Sequence, residues 1–299
     1  MSRPNFFIIG ALKCGTTSLY RWLSAHPNIY MSPKKEPHFY SSDLSYTNPL
    51  TQDEYDGLFR RAEDHHTAVG EASVEYVFSE EAVPRIEEEY NSARYIVVIR
   101  NPVDMAYSLH EERICCGDEH VRDFREAWSL SPRRRVGEMV STACREPKLL
   151  DYQSVCQLGE QLERLFSIVP RDRVLVLVLD DFRQNPRREY LKTLEFLGVP
   201  DDGRTSFPVE NPAKERRSAD LNLHLRRVAK WAFRARRSLG IPVARSTGIL
   251  KLISRLNTRH RPRPPMSDEC RRELTDFLRP DIKRLGALLD RDFSHWLGI

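Results

Sequence analysis

No stretch of this 299-residue chain approaches 18 consecutive apolar residues, the shortest run that reads as a membrane-crossing helix (roughly 18 residues or more). The first apolar run, Phe6 to Ile9, stops at Gly10 and is far too short for a signal-peptide core. The sequence therefore leads us to expect a cytoplasmic protein that neither enters a secretory path nor spans a bilayer. A cysteine framework is missing as well. The six cysteines, Cys14, Cys115, Cys116, Cys144, Cys156 and Cys270, are irregularly spaced and contain no C-x-x-C pair. That pattern argues against a zinc site or a set of disulfides and for reduced thiols. A strong charge of one sign is also absent. The net charge of +4 does not imply nucleic acid, but it suits an anionic ligand wherever positive groups converge. There is no internal repeat, and the one low-complexity patch, Arg261 to Pro265, reads as a linker or turn.

What is present is an ordinary globular composition, 40% hydrophobic and 30% charged. Phe6 to Ile9 reads as a buried parallel strand, followed by a glycine-containing loop and a helical stretch from Thr16 to Ala25. A second strand is expected around Thr67 to Gly70, a charged helix over Glu80 to Tyr90, a strong buried strand over Tyr95 to Ile99, and a helix over Val103 to Glu112. Tyr152 to Phe166 reads as an amphipathic helix. Val174 to Leu179 is the clearest strand, and the helix Arg187 to Leu197 is closed by Gly198. Alternating strands and helices predict an α/β fold: a central parallel sheet flanked by helices on both faces, with a P-loop-like strand–loop–helix phosphate site. We expect one domain over residues 1–299. It carries an Arg-rich insertion of loops and short helices at about 113–150, a basic helical segment at about 218–260, and a last helical segment over 267–298 that begins with a capping pattern at Ser267.

Two motifs carry the chemistry. Gly10-Ala-Leu-Lys13-Cys14-Gly15-Thr16-Thr17-Ser18 joins the first strand to the first helix. The unpaired N–H groups and dipole of a helix start favour an anion there, Gly15 permits close backbone approach, and Lys13 adds a full charge. In a Walker A loop the lysine follows the last glycine. Here Lys13 precedes Gly15, so the loop is not arranged for Mg-ATP. The second motif, Arg100-Asn-Pro102-Val-Asp-Met-Ala-Tyr-Ser108, follows the strand ending at Ile99. Arg100 sits where open α/β sheets bind ligands, and arginine matches phosphate with a two-pronged contact. Ser108, six residues into the following helix, is placed to face back toward Arg100. A strand end that offers arginine where a nucleoside-triphosphate enzyme wants a magnesium-binding acid suggests a second phosphate and no metal.

At these two motifs the sequence resembles the PAPS-dependent sulfotransferases (PAPS is 3′-phosphoadenosine 5′-phosphosulfate), and most closely their bacterial and heparan-type branch. Lys34-Lys-Glu36-Pro-His38-Phe-Tyr40, Gly70-Glu71-Ala-Ser73-Val-Glu-Tyr76, the strand Val174 to Asp181 with Asn185-Pro186, and the ending with Leu285, Asp292 and Trp296 all look like segments of that family. The likeness covers about residues 5–210 and 267–298. Val74, Cys14 and Met105 depart from the residues usual there. The resemblance implies that Lys13, Cys14, Gly15, Thr16, Thr17 and Ser18 hold the 5′-phosphosulfate and that Arg100 and Ser108 hold the 3′-phosphate. It implies Glu36 as general base. Lys13 would stabilise the leaving phosphate, and His38 is a competing base.

Further candidates are Glu71, Ser73 and Tyr76 for an acceptor or cofactor pocket, and Asn211, Lys214 and Arg217 for closure over the 3′-phosphate. Asp180 and Asp181 mimic a magnesium-binding acid but read as structural. The expected function is transfer of a sulfuryl group from PAPS, without metal, to a hydroxyl or amine of a small-molecule, glycan or lipid acceptor. The 113–145 segment is the candidate determinant of that acceptor. The alternative is a P-loop kinase or NTPase. The basic 218–260 segment is a candidate for peripheral membrane contact, against the plainer reading of a solvated face.

Overall fold

The computed structural model describes residues 3–45, 50–142, 144–208, 214–216, 258–260 and 265–298. Asn211, Arg217 and nearly all of the basic 218–260 segment lie outside these residues. In chain order the elements are β1 (Phe6–Gly10), α1 (Thr16–Ser24), β2 (Ile29–Met31), α2 (Gln52–Gly57), β3 (Ala68–Ala72), α3 (Ala82–Glu89), β4 (Arg94–Ile99), α4 (Pro102–Cys116), α5 (Phe124–Ser129), α6 (Ser131–Arg135), α7 (Tyr152–Val155), α8 (Leu158–Ile168), β5 (Val174–Val178), α9 (Leu179–Gln184), α10 (Pro186–Leu197), β6 (Lys214–Arg216), β7 (Thr258–His260) and α11 (Asp268–Leu289). The first five strands form one sheet in the order β2-β3-β1-β4-β5, every neighbouring pair parallel. β6 and β7 pair antiparallel apart from it.

The sequence explains which strands sit in the middle. β1 is apolar up to its closing glycine and wholly buried, as is β4 after Arg94, because helices cover both faces of the sheet there. In β5, Val174 and Val176 are only half-buried between buried Leu175 and Leu177, which suits an edge strand. β1 and β4 are neighbours, and each runs straight into a loop and then a helix. Their carboxyl ends therefore put the two motif loops side by side.

Three sequence expectations are refined. The expected strand at Thr67 to Gly70 runs instead from Ala68 to Ala72. The three-residue β2 was not anticipated, being too short for a periodic signal. The single helix expected over 152–166 is two, α7 and α8. The break has a local cause: the Asp281 carboxylate accepts the backbone N–H groups of Gly159 (2.8 Å) and Glu160 (2.9 Å) and caps a fresh helix. Gly159 is required there, since a Cβ would lie 2.5 Å from the Asp281 carbonyl oxygen. α11 begins as its capping pattern implies, Ser267 Oγ accepting the Cys270 N–H. It packs on α8 and α4.

Asp180 and Asp181 serve the fold. Asp181 takes a two-pronged contact from Arg291 at 2.6 and 2.8 Å, and Asp180 accepts the Trp296 indole N–H at 3.0 Å. Among the described residues no helix is long and apolar enough to cross a membrane.

Asp281→Ala leaves the buried Gly159 N–H and the half-buried Glu160 N–H at the helix start without their carboxylate partner. It is expected to cost about 1–3 kcal/mol, read as a lower urea midpoint with an unchanged slope.

Candidate active site

One cavity of about 690 Å³ opens at the carboxyl ends of β1 and β4. Its floor is the loop after β1. Lys13 and Gly15 both take left-handed backbone angles (φ 61° and 87°). Gly15 thereby turns the chain into α1, and Lys13, Gly15, Thr16, Thr17 and Ser18 all reach the cavity wall. Cys14 does not. Its buried thiol turns away and donates to the Leu12 carbonyl, and burial pushes its pKa up to about 12. Its side chain is thus not placed to bind a ligand in that cavity, contrary to expectation.

Arg100 and Ser108 line the same cavity. The Arg100 guanidinium donates to the Lys13 carbonyl at 3.1 Å and lies 3.8 Å from Asp104. The two positive groups read from separate motifs therefore share one chamber, whose wall also holds Thr16, Thr17 and Ser18 of the first turn of α1. Lys214 lies in β6, whose backbone passes close to α4.

Glu36 stands in the wall on a second loop. Glu36 and His38 both have left-handed backbones (φ 65° and 55°), unusual for residues with side chains and sustained only where surroundings hold them. The holding groups are identifiable. The Glu36 N–H donates to the Ala72 carbonyl at 2.9 Å, and the His38 N–H donates to Ser73 Oγ at 3.2 Å. Tyr76 Oη accepts the N–H groups of Phe39 (2.9 Å) and Tyr40 (3.2 Å).

Ser73 and Tyr76, expected to touch the acceptor, lie beneath the wall as braces for the Glu36 loop. Glu71 is buried beside them, since β3 runs on through it to Ala72. Burial raises the Glu71 carboxyl to about 7 against the pull of Tyr55, Tyr76 and Ser73. Lys35 pairs with Glu36 at 2.7 Å. Burial drives the His38 imidazole down to about 4, so it is neutral at physiological pH.

The structure adds residues that the sequence reading missed. Glu112 lies 3.4 Å from Lys13 and 3.5 Å from Arg113. Burial pushes its carboxyl up, but Lys13 and Arg113 outweigh burial and hold it below its ordinary value. The i,i+4 spacing from Ser108 was the one available signal, since it puts both residues on one face of α4. Glu75 and Arg113 also enter the wall. At the other end the lining is apolar and aromatic, with Trp22, Phe182 and Phe207 and ring centroids 5.5 and 5.1 Å apart. Such faces suit a planar base.

These features define an α/β protein of the P-loop-like kind, with a phosphate loop and a facing arginine at adjacent strand ends. Residues 3–215 match the sulfotransferase domain, and the chain belongs to the sulfotransferase family. It is 25% identical over 299 residues to mouse heparan sulfate glucosamine 3-O-sulfotransferase 3A1, which covers 99% of this chain and 65% of that relative. Over 207 residues it is 28% identical to human bifunctional heparan sulfate N-deacetylase/N-sulfotransferase 3, covering 66% of this chain and 22% of the relative. The chain thus spans just under two thirds of the longer curated match and a small part of the other. A crystal structure of a sulfotransferase from Alicyclobacillus acidocaldarius superposes with a TM-score of 0.71 at 28% identity, covering 99% of both chains.

Glu112 competes with an incoming anion for Lys13. Glu112→Gln is expected to tighten binding of adenosine 3′,5′-bisphosphate by about two- to ten-fold, the gain shrinking as salt is raised. Calorimetric titration at two ionic strengths reads this directly.

Proposed function

We propose that this protein transfers a sulfuryl group from PAPS to a hydroxyl or amine. The observation that carries this reading is the convergence of Lys13, Arg100 and Glu36 on one cavity. Its residues fit the donor. Lys13, Thr16, Thr17 and Ser18 would hold the 5′-phosphosulfate, Arg100 and Ser108 the 3′-phosphate, and the Trp22–Phe182–Phe207 end the adenine. The donor, when bound, supplies an activated sulfonate whose leaving group is a phosphate. Lys13 offsets the charge that develops on the bridging oxygen as that bond lengthens. Glu36 takes the acceptor's proton as the new bond to sulfur forms. The common cavity holds both partners in line, the main source of rate in transfers of this kind.

The acceptor we favour is a saccharide, because both curated relatives described above bear heparan sulfate in their names. We further propose that the transfer needs no metal, since cationic side chains stand where magnesium would act. Glu36, His38 and Glu75 do bring ligand atoms within 4.8 Å of one another, a grouping able to hold a cation, so chelation is part of the test. The sequence-level expectation of a cytoplasmic, single-domain enzyme stands beside this reading as a proposal.

The deciding assay offers sulfur-labelled PAPS with a desulfated glucosamine-containing oligosaccharide or 4-nitrophenol, with and without EDTA, against labelled ATP as control donor. Labelled sulfonate should appear on an acceptor at the same rate in EDTA, and no phosphate should transfer. Transfer from ATP, or loss of sulfonation in EDTA, would refute the corresponding half of the proposal. Lys13→Ala should lower both donor affinity and turnover. Glu36→Gln should lower turnover by about 10²–10⁴-fold with donor affinity kept. A Glu36→Gln enzyme within a few-fold of the parent would remove Glu36 as the base.

A further inference from the structure

Glu36 is held on one side, where Lys35 Nζ pairs with its Oε1 at 2.7 Å. Its other oxygen, Oε2, lies 3.8 Å from Nε2 of His38. On the far side of the same ring, Nδ1 of His38 lies 3.3 Å from Oε2 of Glu75, a carboxylate whose side chain is 4% exposed, an electrostatic contact outside hydrogen-bond alignment. The three groups therefore form a line, Glu36–His38–Glu75, running from the cavity into the protein.

We infer that Glu75 is a positioning residue: it fixes His38 in the tautomer with the proton on Nδ1, so that Nε2 presents its lone pair to Glu36. This rests on the reading of Glu36 as the general base. The charged groups around the ring are Glu36, Lys34 and Lys35 on its own loop and Arg113 on α4, with Glu75 from the loop after β3. Apart from Glu36, Glu75 is the anion among them. Arg113, which faces Glu75, Glu112 and Asp118, balances its charge.

The proton balance follows. The acceptor's O–H or N–H bond breaks, and its electron pair forms the new bond to sulfur as the sulfur–phosphate oxygen bond breaks and its pair leaves on the bisphosphate. The proton passes to Glu36 Oε2, and the Nε2 lone pair of neutral His38 is on hand to accept a hydrogen bond from the carboxyl so formed. Glu36 gives the proton to water when the products leave and is then ionised again.

Nitrogen-15 NMR of the parent protein tests the tautomer without any acceptor, with the His38 signals assigned by their loss in His38→Gln. The expected spectrum shows His38 protonated at Nδ1 and bare at Nε2. A proton on Nε2 would overturn the inference even if sulfuryl transfer is confirmed, and the labelled-PAPS assay judges that transfer separately. Kinetically, Glu75→Gln should lower kcat by about 10- to 100-fold, a fraction of a full general-base effect, while affinity for adenosine 3′,5′-bisphosphate stays within two-fold. It should add almost nothing in a His38→Ala background, as residues acting through one another do. Losses that multiply in the double variant would show Glu75 acting independently of His38 and would refute the positioning role.

Discussion

The Arg100 guanidinium donates to the Lys13 carbonyl, and this contact exists only because β1 and β4 lie side by side and run the same way. Each strand delivers one cationic group at its carboxyl end, and the helix after it delivers the hydroxyls. If β1 and β4 were separated by one more strand, about 5 Å of extra spacing would part the two groups, and Arg100 could not reach the Lys13 carbonyl. The rest of the molecule can be read as what keeps this pair of strands adjacent and buried. The continuous apolar sequences of β1 and β4 require cover on both faces, and α11, packed on both α4 and α8, is part of it.

A second constraint is less visible and equally local. The loop carrying Glu36 and His38 has two left-handed residues on either side of Pro37, a conformation its own sequence does not favour. It persists because Ala72, Ser73 and Tyr76 take up its backbone N–H groups from below. Buried braces of this kind fix a side chain's place without contacting anything in the cavity. This is why Ser73 and Tyr76 look functional in the sequence while their work is structural: losing either would misplace Glu36 and His38 together.

The sheet, the order of the main elements and the two phosphate-side motifs were legible in the sequence, and the reasons are specific. β1, β4 and β5 are uninterrupted apolar runs bounded by polar loops, and the Lys13 loop and Arg100 each directly follow one of them. β2 was illegible because three residues carry no periodicity. The break between α7 and α8 was illegible because its cause, Asp281, lies more than 120 positions away in sequence. The orientation of Cys14 and the burial of Glu71 depend on which way one residue of a loop or strand points, which motif matching does not resolve. Glu75, Glu112 and Trp22 escaped notice because each is unremarkable among its neighbours in the chain. Only the fold turns them toward the cavity.

The charges within that cavity are sorted, and the sorting has a chemical consequence. Lys13 and Arg100 stand on the side of the phosphate loop, while Glu36 and Glu75 stand on the side of the neighbouring loops. Glu112 and Arg113 lie between, tied to each other and to Lys13. On the donor-binding reading proposed above, an anionic donor would be drawn to the wall of Lys13 and Arg100 and repelled from the carboxylates, which would orient it before any specific hydrogen bond forms. Seating it would draw Lys13 away from Glu112, which keeps its contact with Arg113, while Glu36 keeps Lys35. The field of the loaded site would then favour a proton leaving the acceptor toward Glu36 over one arriving, an asymmetry that comes from how these ordinary charges are sorted between the two walls.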